Sequence, residues 1–253
     1  MNIIHFKEMV KLLELDKVIK YRNKYNPSGK LPYHCNKHMD FMLSDCINSY
    51  LYDLLWDRGN GPVLEYTAIF YAAIFHDVNH SGGKLTDNLN VDKAIEAWRT
   101  FADSADGSKL IFAPPHSHHR KMITTMVPIL IRATQYPYVD VRDSVEYTGA
   151  SLSHIVSLTD SCNVLRDADL MSAYHGDAGM KLVNNGLYRE MSSGGSIYGP
   201  MTYAEYVDKQ AAFLNKITWH SAWGKRRAEI MNFPNIVKAV IDDAEQHKDS
   251  DFD

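Results

Sequence analysis

LEYTAIFYAAIFHDVNHSGG, residues 64–83, decides how this chain is read. Its first part, 64–76, is apolar almost all round, the pattern of a helix buried on every side. That run ends in His76-Asp77. Burying an ionisable pair at the end of an apolar helix is costly unless the charges are compensated. A divalent metal compensates them, since imidazole and carboxylate both suit zinc, manganese or iron. His80 follows His76 by one helical turn and could face the same site, toward a metal or a phosphate. Taken alone, the pair is more simply a hydrogen-bonded helix terminus; its company argues otherwise. YHCNKH (33–38) sets His34 and His38 at the same one-turn spacing, and LRDADLMSAY (165–174) supplies Asp169 in another apolar helical context.

Outward from this stretch the pattern stays helical. Residues 39–57 space their apolar side chains by three and four. Helices are also expected over 88–102, with Asp87 as cap, and over 118–134, with a kink at Pro128. Two more are expected within 141–174. Another spans 202–218, where Thr202 and Glu205 fit a capping box. The N-terminal segment MNIIHFKEMVKLLELDKVIK reads as an amphipathic helix, not a signal peptide. Breaks fall at 26–29, 58–62, 103–117 and 192–200. SSGGSIYGP (192–200) reads as a flexible loop before the last large helix. No repeat or low-complexity linker divides the chain, and Val/Ile alternation of strand type is scarce. The expectation is one all-α domain over 1–253, with 1–30 as an N-terminal helical extension.

The chain has 253 residues, 45% hydrophobic and 23% charged, with a net charge of -4. That balance gives no basic field for nucleic acid or anionic membrane. No apolar run reaches the roughly 18 residues that span a bilayer. Cys35, Cys46 and Cys162 are odd in number and lack CxxC spacing, so they read as reduced thiols. A cytoplasmic location is expected.

The order His, His-Asp, Asp at separations of tens of residues resembles HD-type metal-dependent phosphohydrolases. Within that superfamily the chain is similar to the cyclic-nucleotide phosphodiesterase branch, with its YHN-x-x-H, HDVDHPG and C-A-D-L segments. The counterparts here are YHCNKH, HDVNHSG and RDADLMSAY. HHRKMITTMVPILIRATQYP (118–137) and DKQAAFLNKITWHSAW (208–223) resemble two later segments of that branch. The matches run in order over about 33–225.

The resemblance implies a compact multi-helix domain with the metal site in a central pocket. It implies that His38, His76, Asp77 and Asp169 hold a first metal, and that Asp77 also touches a second. The expected ions are zinc with magnesium or manganese. His34 would be the general acid, and His80 would sit beside the attacking water and the phosphate. Gln210 would hydrogen-bond a base and Phe213 stack on it, with Tyr136 on the pocket wall. Core packing is an equal reading of Gln210 and Phe213. The implied activity is hydrolysis of a 3',5'-cyclic nucleotide (cAMP- or cGMP-like) to the 5'-monophosphate. The rivals are a nucleotidase, a triphosphohydrolase or a (p)ppGpp hydrolase of the same superfamily, and a nucleotide-binding sensor. The expected partner is a small nucleotide, with no nucleic acid and no membrane; a homo-oligomer is allowed.

The chain departs from the family pattern at Asn79, where an acid stands, and at Ala133-Thr134-Gln135-Tyr136 in place of A-T-D-M. Cys35 and Asn36 shift the YHN pattern. The glutamate-bearing S-V-L-E-N-H-H segment has no counterpart.

Other candidates read more plainly. His116, His118 and His119 suit a solvated loop and helix start, and Arg120 and Lys121 a helix surface. His154 and His175 suit core or surface positions. Asp167 competes with Asp169 and would lie behind the ligands or on the surface. Trp219 and Trp223 suit core or interface packing.

Overall fold

The computed structural model describes residues 14–56, 63–111, 117–138, 158–172 and 175–246, and among them there are helices and turns but no strand. The helices are α1 (Leu15–Tyr25), α2 (Asn36–Trp56), α3 (Val63–Phe75), α4 (Asp87–Asp103), α5 (Ala105–Leu110) and α6 (Ser117–Ala133). They continue with α7 (Thr159–Ser172), α8 (Gly176–Lys181), α9 (Tyr188–Met191), α10 (Tyr203–Leu214), α11 (Ala222–Ile230) and α12 (Phe233–Gln246). A π-helical turn, Leu182–Leu187, joins α8 to α9. None of the helices described is long and apolar enough to cross a membrane.

The apolar run at 64–76 takes the place its composition dictates. Every residue from Tyr66 to Phe75 is buried, and α2, α6 and α7 pack around α3. On α4, Phe101 and Trp98 meet Phe75 at ring centroids 5.1 and 5.5 Å away. α1 joins the same core through Leu15 and Val18. α6 runs on through Pro128. α10 opens with the expected capping box: Thr202 accepts from the Glu205 N–H, and Glu205 reaches back to the Thr202 N–H.

Several expectations are corrected. Asp87 does not cap α4; Thr86 stands at the cap position, and Asp87 is the first helical residue. The break at 103–117 contains α5, whose start Ser104 caps by accepting from the Gly107 N–H. Residues 203–214 are not the last large helix, because α11 and α12 follow. α12 buries Val237, Val240 and Ala244, at helical spacing. Much of the N-terminal segment and of 141–174, with His116 and His154, lies outside the described residues, as does the His118 side chain.

Candidate metal centre and its cavity

The centre is built where three helices end or cross. His76 and Asp77 leave the C-terminal end of α3, His38 comes from the first turn of α2, and Asp169 comes from α7. His38 Nε2 lies 3.3 Å from Asp77 Oδ2, 3.2 Å from Asp169 Oδ1 and 3.3 Å from His76 Nε2. His76 Nε2 lies 3.1 Å from Asp77 Oδ2 and 3.7 Å from Asp169 Oδ1. Ligands about 2.0–2.2 Å from one ion stand roughly 3.0–3.6 Å apart, the edge of a tetrahedron or octahedron. His38, His76 and Asp77 could therefore hold a metal ion, and Asp169 Oδ1 lies at the edge of this group, beside His38 Nε2.

Protonation supports this fit. His76 Nδ1 lies 3.0 Å from the Ala73 carbonyl, which only accepts, so the ring hydrogen sits on Nδ1. A hydrogen on Nδ1 leaves Nε2 able to turn a lone pair to an ion in the cluster, the orientation a ligating histidine needs. Burial opposes charge on His38, but hydrogen bonds to Asp169 and Asp77 outweigh it and lift its pKa to about 10. Burial likewise opposes ionisation of Asp77, yet His76, His34 and His38 hold its carboxyl well below the usual range. A proton on His38 does there what a divalent ion would do better: neutralise two half-buried carboxylates.

The turn after α3 is fixed from outside. Asn79 adopts a left-handed conformation (φ 65), which asparagine tolerates. Its N–H donates to Asn26 Oδ1, and Ser28 Oγ donates to the Asp77 carbonyl. Asn36 is recruited into this buttress, accepting from Asn26 Nδ2. At Gly83 (φ 80) a Cβ would stand 2.8 Å from the Glu190 carbonyl, so the glycine lets this turn press against α9.

His34 and His80 stack beside the cluster, ring centroids 3.5 Å apart. They form a second group with Asp77. The bonding of His80 argues against ligation there through Nε2. The Gly82 N–H donates to His80 Nδ1 at 3.1 Å, which puts the ring hydrogen on Nε2. Burial, then the neighbouring His34, hold His80 down at about 3, so it stays neutral. It is an N–H donor.

Glu190 is the site residue that sequence reasoning missed. Its Oε1 accepts the N–H groups of Tyr33 (2.6 Å) and His34 (2.9 Å), and its Oε2 meets His34 Nδ1 at 2.6 Å. Gly186, one turn earlier, allows this contact: a Cβ there would lie 2.4 Å from the Pro32 carbonyl. Burial opposes charge on His34, but Asp77 and Glu190 raise its pKa above the ordinary value. The sole sequence signal was the four-residue spacing of Gly186 and Glu190 in NNGLYRE.

A cavity of about 430 Å³ opens onto these groups. His34, His38, Asp77, His80 and Asp169 line one part of it. Gln210, Phe213 and Tyr136 line another, with Tyr136 and Phe213 edge to face at 5.5 Å. All the expected site residues line this cavity except His76, which is buried behind its wall against Asp77 and His38.

The lesser candidates fall elsewhere. Asp167 is neither on the surface nor behind the ligands. It is fully buried and accepts the N–H groups of His220 and Ser221 and the Ser221 hydroxyl, fastening α7 to the start of α11. His175 pairs with Asp45 at 2.7 Å and stacks on Phe41. Arg120 donates to the Ala102 carbonyl and to Ser108, and His119 and Lys121 are exposed. Trp223 is buried, and Trp219 packs edge to face on Phe233. Cys35, Cys46 and Cys162 are buried free thiols.

Compared with protein-family models, curated proteins and solved structures, the chain finds no match in any of the three.

Proposed function

We propose that the protein is a metal-dependent phosphodiesterase that hydrolyses a 3',5'-cyclic nucleotide to the 5'-monophosphate. The observation that carries the reading is the His38, His76 and Asp77 cluster with Asp169 at its edge, beside a histidine pair and an aromatic-walled cavity. The extended HDVNHSG segment and the later Gln210 and Phe213 support the cyclic-nucleotide assignment.

His38, His76, Asp77 and Asp169 would hold one divalent cation, with Asp77 also touching a second, and the pair would supply charge neutralisation for the phosphodiester and a water activated near neutral pH. The chain's own residues do the rest. His34 carries its Nδ1 hydrogen toward Glu190, which leaves Nε2 to hold the proton given to the leaving oxygen. Glu190 keeps the ring in place and favours its charged form. His80, neutral and with hydrogen on Nε2, donates to a phosphate oxygen. Phe213 and Tyr136 offer faces and edges to a planar ring, and Gln210 offers both donor and acceptor.

The test is a screen of purified protein with manganese, magnesium or zinc against cyclic AMP, GMP, CMP and UMP. Formation of the 5'-monophosphate is expected. Release of pyrophosphate, triphosphate or inorganic phosphate from linear nucleotides, with every cyclic substrate intact, sinks it.

A further inference from the structure

Asp87 stands in the same cavity as His34, Asp77 and Asp169, at the first residue of α4. Its Oδ2 accepts the Tyr136 N–H at 2.5 Å. Its Oδ1 accepts from no group among the described residues. Around it the cavity is aromatic: Tyr136, Tyr138, Tyr198 and Phe213 line it too. An acid in such a wall faces a cost unless something donates to it. Nothing in the first steps of phosphodiester hydrolysis calls for this group, and its charge is of the wrong sign to hold a phosphate.

We infer that Asp87 is the specificity-determining residue of the cavity and selects a ring bearing an exocyclic amine, such as adenine or cytosine. The inference rests on the phosphodiesterase reading for its nucleotide, and on the geometry for its choice among nucleotides. Burial raises the Asp87 carboxyl to about 6, so at pH 8 it is an acceptor-only carboxylate. With one oxygen fixed by the Tyr136 N–H, the other is left to receive one N–H from a ring held between the aromatic side chains. A ring carbonyl at that place would meet like charge and strand the carboxylate unpaired. Sites built to hydrogen-bond a polar group reject the analogue that cannot supply it. In Asp87→Asn the amide oxygen can keep the Tyr136 N–H, and the amide nitrogen then faces the cavity as a donor, which suits a carbonyl.

Adenine and hypoxanthine nucleotides separate the cases, because amine and carbonyl are exchanged on nearly the same shape. The affinities of AMP and IMP are measured by calorimetry at pH 8 on manganese-loaded protein, beside turnover of cyclic AMP and cyclic IMP. The wild type is expected to bind AMP at least about ten-fold more tightly than IMP, and Asp87→Asn to shrink that ratio by about ten-fold, mainly through tighter IMP. Asp87→Ser, which removes the carboxylate without offering an amide, is expected to shrink it through weaker AMP. A wild-type ratio near one, or an unchanged ratio in folded Asp87→Asn, overturns the inference. The wild-type ratio decides alone if neither variant folds. If discrimination holds and is lost in the variants while no cyclic nucleotide is cleaved, the role of Asp87 stands and the phosphodiesterase reading falls. If cyclic AMP is cleaved but the variants keep the ratio, the reverse is true.

Discussion

Glu190 and His34 lie 156 positions apart in the chain, and their side chains meet at 2.6 Å through Oε2 and Nδ1. The same carboxylate takes the N–H groups of Tyr33 and His34. One buried acid thus sets both the backbone and the ring of the residue assigned to proton transfer.

Glu190→Gln keeps the shape but removes the charge. We expect kcat to fall about 10–100-fold with metal content unchanged, in line with other groups that orient a working histidine. His34→Ala is expected to cost roughly 10²–10⁴ in kcat, again with metal retained. Metal analysis beside steady-state kinetics checks both. An emptied site in His34→Ala makes His34 a ligand and the acid assignment wrong.

Asp169→Ala is expected to act in the opposite way. It removes a carboxylate oxygen 3.2 Å from His38 Nε2, so bound metal is lost and its stabilisation goes with it. Metal affinity should drop by about 100-fold or more, and added metal should no longer raise the melting temperature. Equal metal-induced shifts in variant and wild type contradict the ligand assignment.

Asp167→Ala is expected to damage the fold and leave the metal. The N–H groups of His220 and Ser221 and the Ser221 hydroxyl lose their acceptor. The two Ser221 donors are buried, and each left unpaired costs about 1–3 kcal/mol, so a loss of about 2 kcal/mol or more is expected. Denaturant unfolding measures it. A neutral result, or loss of metal from a stable variant, would exchange the roles of Asp167 and Asp169.

These two aspartates show where sequence reading reaches and where it stops. In RDADL they are two residues apart, which on a helix sends them to nearly opposite faces. The His/Asp order picked out Asp169 because metal ligands impose spacing on a sequence. What Asp167 grips, a turn more than 50 residues later, imposes none. α3 was legible because burial on all sides leaves a continuous apolar run. α11 was not, since AWGKRRAEI is short, four of its nine residues are charged, and only Trp223, Gly224 and Ala228 turn inward. α12 carries a readable apolar stripe, Phe233, Val237, Val240 and Ala244. Glu190 gave least notice of all, because glutamate is ordinarily an exposed helix former and only tertiary contact buries it.

Asp87 gives the fold a pH dependence of its own. Burial raises its carboxyl from 3.8 to about 6, against the pull of the Tyr136 N–H. Between those values the folded protein holds a proton that the unfolded chain has released. The stabilisation is complete below 3.8 and is lost as pH rises through about 6. Its size is about 2 kcal/mol once partial exposure is allowed for. Unfolding of wild type and Asp87→Asn from pH 4 to 7 checks this, the variant lacking that component. Parallel curves contradict it.

On the proposed reading, hydrolysis of cyclic nucleotides comes and goes with metal at His38, His76, Asp77 and Asp169. The most direct measurement strips the protein of metal, returns manganese or zinc in known amounts, and follows cyclic AMP by phosphorus NMR. Expected are no conversion without metal, 5'-AMP as product when metal is restored, and none from metal-treated His76→Ala. Metal bound at this cluster with cyclic nucleotides left intact, or conversion that persists in His76→Ala, would contradict it.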